Sequence, residues 1–206
     1  LNGNNGANLP YDRDDAIRAG MFYMIKNFGV DVDRIYASGT SQGAGRTSAL
    51  VRDCADWIAG AIIQNGGYSS AISNYGIDRS ALARMWSIDD CTDLAVKIHE
   101  YTFEFAASQD VALWFFQGEN DSISRPLISL TMYKAFLNLY QEAGKSADWL
   151  EDNLRYTMFD NVVYDAIGET SYHSSIKPTY YFYAYYDDEA YEAVYDNADG
   201  TQKYGD

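Results

Sequence analysis

Arg34-Ile35-Tyr36-Ala37-Ser38-Gly39-Thr40-Ser41-Gln42-Gly43-Ala44-Gly45 is the stretch that decides how this chain folds. Arg34 to Ser38 reads as a short buried strand, and a helix is expected from near Gln42 through Leu50. Between them lies a turn made almost wholly of small residues. A strand that reverses this sharply into a helix holds its turn residue in a strained conformation, and the two elements can close up only where neighbouring positions lack bulk. Gly39 and Gly43, two residues before and two after Ser41, meet that demand. The expected product is a nucleophile elbow, with the Ser41 hydroxyl exposed above a sheet and the Gln42 N–H at a helix N-terminus.

A Gly-x-Ser-x-Gly string by itself is a weak signal, and its weight comes from the strand and helix that flank it. Upstream, Leu1 to Pro10 is rich in Asn and Gly and reads as loop. Tyr11 to Gly29 reads as an amphipathic helix, with Ile17, Met21, Ile25 and Phe28 at helical spacing and Gly29 suited to its C-terminal cap. Downstream, Trp57 to Gln64 is a second apolar run that suits a buried parallel strand, closed by Asn65-Gly66-Gly67. Strand, helix and strand make a βαβ unit, in which the crossover lays the second strand beside the first.

The stretch 68–110 is apolar and aromatic, with helical spacing from about Thr92 to Ala107. It reads either as a crossover helix with an inserted lid or pocket wall, or as a longer crossover with no substrate role. Val111 to Gln117 is the clearest strand, β-branched or aromatic through its centre, and it ends in Gly118-Glu119-Asn120-Asp121. Pro126 opens a helix that runs through Gly144. Arg155 to Ala166 suits a final strand at the sheet edge, Tyr180 to Tyr195 is helical in part, and Asp196 to Asp206 reads as a polar tail. That tail fails as a calcium loop, because Tyr195 stands where the first carboxylate ligand should be. The pattern of alternating strands and helices predicts an α/β fold with a mostly parallel sheet and helices on both faces.

Composition bounds the partners. The 206 residues are enough for one domain with a real core, and 47% of them are hydrophobic with only three prolines. A formal charge of −15 disfavours nucleic acid and anionic membranes and favours neutral or cationic substrates. No apolar run approaches the roughly 18 residues a membrane span requires. Cys54 and Cys91 allow one disulfide at most, and free buried thiols are an equal alternative.

Serine needs an imidazole to take its proton and a carboxylate to fix that imidazole's tautomer. The chain holds two histidines. His173 lies in a polar loop after the last expected strand, whereas His99 lies inside the apolar helical stretch, upstream of Asp121. Ser41, Asp121, His173 is the order nucleophile, acid, histidine, and the order breaks if His99 is used. His99 is accordingly read as structural. Asp121 follows a strand end on a glycine turn and leads as the acid, with Glu119 as fallback; Asp89 and Asp90 read as a solvated helix start.

From Arg34 to Tyr180 the chain resembles the C-terminal half of an α/β-hydrolase, and is most similar to the poly(3-hydroxybutyrate) depolymerase and feruloyl esterase-like group of secreted bacterial esterases. DVDRIYASGTSQGAG at the nucleophile, FFQGEND at the acid and YHSS at the histidine carry the likeness. The resemblance implies a serine carboxylesterase that needs neither cofactor nor metal. It implies a secreted or cell-surface location, with residues 1–195 as the C-terminal portion of the catalytic domain and 196–206 as tail or linker. Ser41 would be the nucleophile, His173 the base and then acid, Asp121 the orienting carboxylate, and the Gln42 backbone N–H one donor of the oxyanion hole.

The second oxyanion donor in that group comes from an early loop, and the chain has no HGG-like segment. The first four or so strands of the fold have no counterpart here, so an N-terminal segment or second polypeptide is expected to complete the sheet beside the elbow strand. Two other activities share these features: a serine peptidase of the prolyl-oligopeptidase kind, and a catalytically inactive hydrolase domain serving as a binding module.

Overall fold

A computed structural model describes residues 13–68, 93–124, 126–159, 164, 172 and 173. Its centre is a four-stranded parallel sheet whose strands lie in chain order: β1 (Tyr36–Thr40), β2 (Gly60–Gln64), β3 (Ala112–Gly118) and β4 (Leu154–Phe159). Three crossovers connect them. Helix α2 (Gln42–Asp53) links β1 to β2, α3 (Asp93–Ser108) lies between β2 and β3, and α4 (Pro126–Glu142) and α5 (Ala147–Asn153) lie between β3 and β4. Helix α1 (Arg13–Phe28) precedes the sheet and ends at Gly29, whose φ of +61° is the left-handed cap that the sequence leads one to expect.

Side-chain alternation along the strands decides where the core sits. Ala61 and Ile63 of β2 and Leu113 and Phe115 of β3 point to one face, where they meet Leu50 and Val51 of α2, Phe103 of α3, and Met132, Phe136 and Tyr140 of α4. Ile17 and Met21 of α1 and Trp149 of α5 pack against the same cluster. The Tyr140 hydroxyl donates to the Val111 carbonyl at 2.5 Å, so a large aromatic is buried without an orphaned polar group. On the opposite face Phe116, Phe159 and Tyr164 form a separate cluster. Beside it Tyr36, Ser38, Ile62, Trp114 and Arg155 line a groove of about 500 Å³. The C-terminal helix expected at 180–195 lies outside the described residues, as do Cys91 and most of the 68–110 segment up to Asp93.

Several boundaries differ from the sequence reading, each for a physical reason. Trp57 sits in a 3-10 turn, Ala55–Trp57, so the second strand begins only at Gly60. The last strand is described over Leu154–Phe159, where Phe159 pairs with Gly118 at the end of β3, and residues 160–163, 165 and 166 of the expected strand lie outside the described residues. Arg34 ends another 3-10 turn, capped by the Asp31 carboxylate accepting from the Asp33 N–H. The first strand is not buried. It is an edge of the described sheet, pairs only with β2, and leaves Tyr36 71% exposed. Cys54 is buried as a free thiol, with burial raising its pKa. Among the described residues no helix is long and apolar enough to cross a membrane.

Candidate active site

The elbow is built by β1 and α2 closing on each other. A Cβ on Gly39 would stand 2.3 Å from the Gly43 carbonyl oxygen and 2.7 Å from the Thr47 hydroxyl, so the strand end lies directly on the first turn of the helix. Gly43 differs from the sequence expectation: a Cβ there would meet nothing within 4 Å. What the close approach needs at that position is its carbonyl, and only Gly39 must lack a side chain.

Ser41 takes the strain of the reversal, with φ 57° and ψ −115°, a backbone state that costs on the order of 1–3 kcal/mol for a residue with a Cβ. Neighbours hold it there. Its N–H donates to the Gln64 carbonyl at 3.0 Å, its carbonyl accepts from Gly45, and beside it the Thr40 hydroxyl donates to Gln64 Oε1 at 2.7 Å. Serine at a helix N-cap ordinarily turns its hydroxyl back onto the helix amides. Here it makes no such bond. The Ser41 Oγ lies instead 2.8 Å from His173 Nε2.

The other ring nitrogen, His173 Nδ1, is 2.8 Å from Asp121 Oδ2. A carboxylate has no proton to give, so Nδ1 carries the hydrogen and Nε2 is left to accept the Ser41 hydroxyl proton. Asp121 is buried and sits just past β3 in a tight turn that its own side chain organises: Oδ1 accepts from the N–H groups of Ile123 and Ser124, both at 2.8 Å. Oδ2 faces the imidazole and also accepts a longer bond, 3.4 Å, from Gln117 Nε2. Gln117, the penultimate residue of β3, is also fully buried and ties the turn down, donating to the Ser124 carbonyl at 2.8 Å and accepting from the Ser129 hydroxyl at 3.0 Å. Gln42 opens α2, and as a first-turn amide its N–H has no acceptor within the helix.

The structure therefore brings Ser41, His173 and Asp121 into one hydrogen-bonded line, with the Gln42 amide next to the serine. Glu119, the fallback acid, is exposed, and its backbone N–H pairs with the Phe159 carbonyl. His99 is fully buried in α3 against Phe103, with neither ring nitrogen in a hydrogen bond. Desolvation holds its pKa down at about 3, against a weaker opposing influence of the Tyr68 backbone, which lies near the ring without reaching hydrogen-bond geometry. Asp89 and Asp90 lie outside the described residues. Two polar residues that frame the site have no site role in the sequence reading: Asn65, read as part of the turn that closes the second strand, and Gln117, read as the end of the third. The only local sign of either is an amide side chain at the C-terminal end of an otherwise apolar strand.

Parallel strands in chain order, a strained serine between strand and helix, and an acid and a histidine in later loops together make this the α/β-hydrolase fold. Comparison of structures agrees. A thermostable esterase superposes with a TM-score of 0.53 at 19% identity, over 93% of this chain and 38% of its own. The Pyrococcus furiosus esterase Pf2001 superposes with a TM-score of 0.52 at 12% identity, over 93% of this chain and 65% of its own. The chain thus spans between about a third and two thirds of the length of these two proteins. No protein-family model matches the sequence. No curated protein matches it either.

Proposed function

We propose that this chain carries the reacting groups of a serine-dependent carboxylic ester hydrolase that works through an acyl-enzyme. The supporting observation is the pair of 2.8 Å contacts joining Ser41 Oγ to His173 and His173 to Asp121. In the acylation step Ser41 Oγ bonds to the ester carbonyl carbon while His173 Nε2 takes the hydroxyl proton. The carbonyl electron pair moves onto oxygen, where the Gln42 N–H stabilises it. Collapse of that intermediate breaks the bond to the alcohol, which leaves with the proton from His173. Water then attacks the acyl group with His173 again as base, releasing the acid and restoring Ser41.

The substrate class that fits best is a neutral ester, either aryl or hydroxyalkanoate. A chain of net charge −15 repels anionic acyl groups, and the sequence likeness is to the poly(3-hydroxybutyrate) depolymerase and feruloyl esterase-like group. Turnover of p-nitrophenyl acetate by the full-length protein should fall by at least about 10³-fold in Ser41→Ala. An unchanged rate in that variant sinks the assignment, and preference for peptide anilides over aryl esters would turn it toward a peptidase.

The same reading includes an N-terminal segment or second polypeptide that completes the sheet at β1 and brings the second oxyanion donor. In its favour stand the unpaired outer edge of β1 among the described residues and the exposed apolar side chains of Val32 and Tyr36 at and just before that strand.

A further inference from the structure

We propose that Asn65 is a positioning residue that locks the loop bearing His173 to the turn bearing Asp121, an inference that rests on the Ser41–His173–Asp121 relay described above. Asn65 follows the last residue of β2 and is completely buried. Its side-chain amide is shared between the two loops. Nδ2 donates to the carbonyl of Tyr172, the residue before His173, at 3.0 Å. Oδ1 accepts from the N–H of Gly118, three residues before Asp121, at 3.2 Å.

The pairing also fixes which way the amide points. A flipped amide would set oxygen against the Tyr172 carbonyl and NH₂ against the Gly118 N–H, losing both bonds, so the partners determine the orientation. Its backbone is committed as well. The N–H donates to Phe116 at 2.8 Å, and φ is +46°, a left-handed state that asparagine tolerates better than most residues.

Around this amide the two loops are in direct contact. A Cβ on Gly118 would fall 2.2 Å from the Tyr172 carbonyl oxygen and 2.6 Å from the Tyr164 hydroxyl, so the backbone before His173 lies flat against the end of β3. Tyr164 donates to the same Tyr172 carbonyl at 3.2 Å. One carbonyl thus receives two donors, one from the end of β2 and one from beyond β4. Few single side chains offer a donor and an acceptor on one planar group at this spacing, and aspartate in particular lacks the donor.

Asn65→Gly keeps the left-handed backbone available and removes only the clamp; Asn65→Asp keeps the acceptor for Gly118 and sets a carboxylate oxygen against the Tyr172 carbonyl. In the full-length protein, with p-nitrophenyl acetate as substrate, both variants are expected to lose about 10- to 100-fold in kcat while KM stays within about threefold, the signature of misplaced reacting groups and not of a damaged binding surface. Tyr164→Phe, which removes the second donor to the same carbonyl, should lose less, about two- to fivefold, and its effect should be non-additive with Asn65→Gly, because both act through one atom.

A folded Asn65→Gly protein with kcat within about twofold of the parent, or with the loss confined to KM, overturns the proposal while leaving the relay intact. Should neither Asn65 variant fold, full kcat in Tyr164→Phe overturns it. Ser41→Ala is run alongside: undiminished turnover there overturns both the relay and the clamp, whereas loss in Ser41→Ala with normal kcat in Asn65→Gly removes the clamp alone.

Discussion

At the scale of single residues, the two glycines of the elbow look alike in the sequence and have opposite roles in space. Gly39 has no room for even one added carbon. Gly39→Ala is expected to destabilise the fold by about 2–3 kcal/mol or more, because the obstacle is helix backbone that cannot swing aside. Gly43→Ala, facing open space inside α2, should change stability by no more than about 1 kcal/mol and on the favourable side, since alanine is the better helix residue. Urea unfolding of the two variants distinguishes the cases, and equal effects would mean that the strand and helix are further apart than described. The motif reads correctly as a tight turn from sequence, but which glycine the turn depends on is set by carbonyl direction, which no pattern of letters contains.

His99 supplies a second prediction at this scale, on pH. Its folded-state pKa is depressed to about 3 from the ordinary 6.5, first by desolvation. The unfolded chain therefore takes up the proton below about pH 6.5 and the folded chain does not, so the neutral-imidazole fold keeps its full stability above that pH. It loses up to roughly 1.4 kcal/mol for each unit the pH drops below it, until about pH 3. Replacing the ring with His99→Leu should flatten this slope between pH 6.5 and 5 in denaturant titrations. If parent and variant lose stability in parallel over that interval, His99 is not the group responsible.

Elements were legible where their residues satisfy one demand at a time. The third strand is clear because Val111 to Phe116 is apolar throughout and aromatic from Trp114 on, with Leu113, Phe115 and Phe116 buried, and α4 is clear because Pro126 starts it and apolar residues then recur along it. Helix α5 leaves little mark on the sequence. It is seven residues long, with no buried residue of its own, and is marked only by Ser146 accepting from the Trp149 N–H at its cap. Strand β1 reads as buried because its letters suit a central strand, whereas burial depends on neighbours that its own letters do not contain. Likewise Ser41, Asp121 and His173 could be chosen from their order and their strand ends, but Asn65 and Gln117 could not, since a buried amide is recognisable only by the partners that surround it.

That edge carries its own prediction. Ile35 and Ser41 turn backbone groups toward β2, so the alternate residues Tyr36, Ser38 and Thr40 direct theirs away from it. If a further strand covers the edge in the full-length protein, those three amides should resist hydrogen exchange as strongly as their inward-facing neighbours. Fast exchange at all three, in a protein that hydrolyses esters, would mean that the edge is left open.

On the scale of the whole molecule, the sheet is assembled from pieces that follow one another in the chain and share one helical layer. Each crossover adds a strand to the edge just formed. The serine arrives with the first strand, the clamp at Asn65 with the second, the carboxylate with the third and the imidazole beyond the fourth. A ribosome making this protein would therefore release these groups in the order in which their strands lie across the sheet. The Ser41 hydroxyl thus emerges well before its partner, and the His173 imidazole follows only after all four described strands have been made.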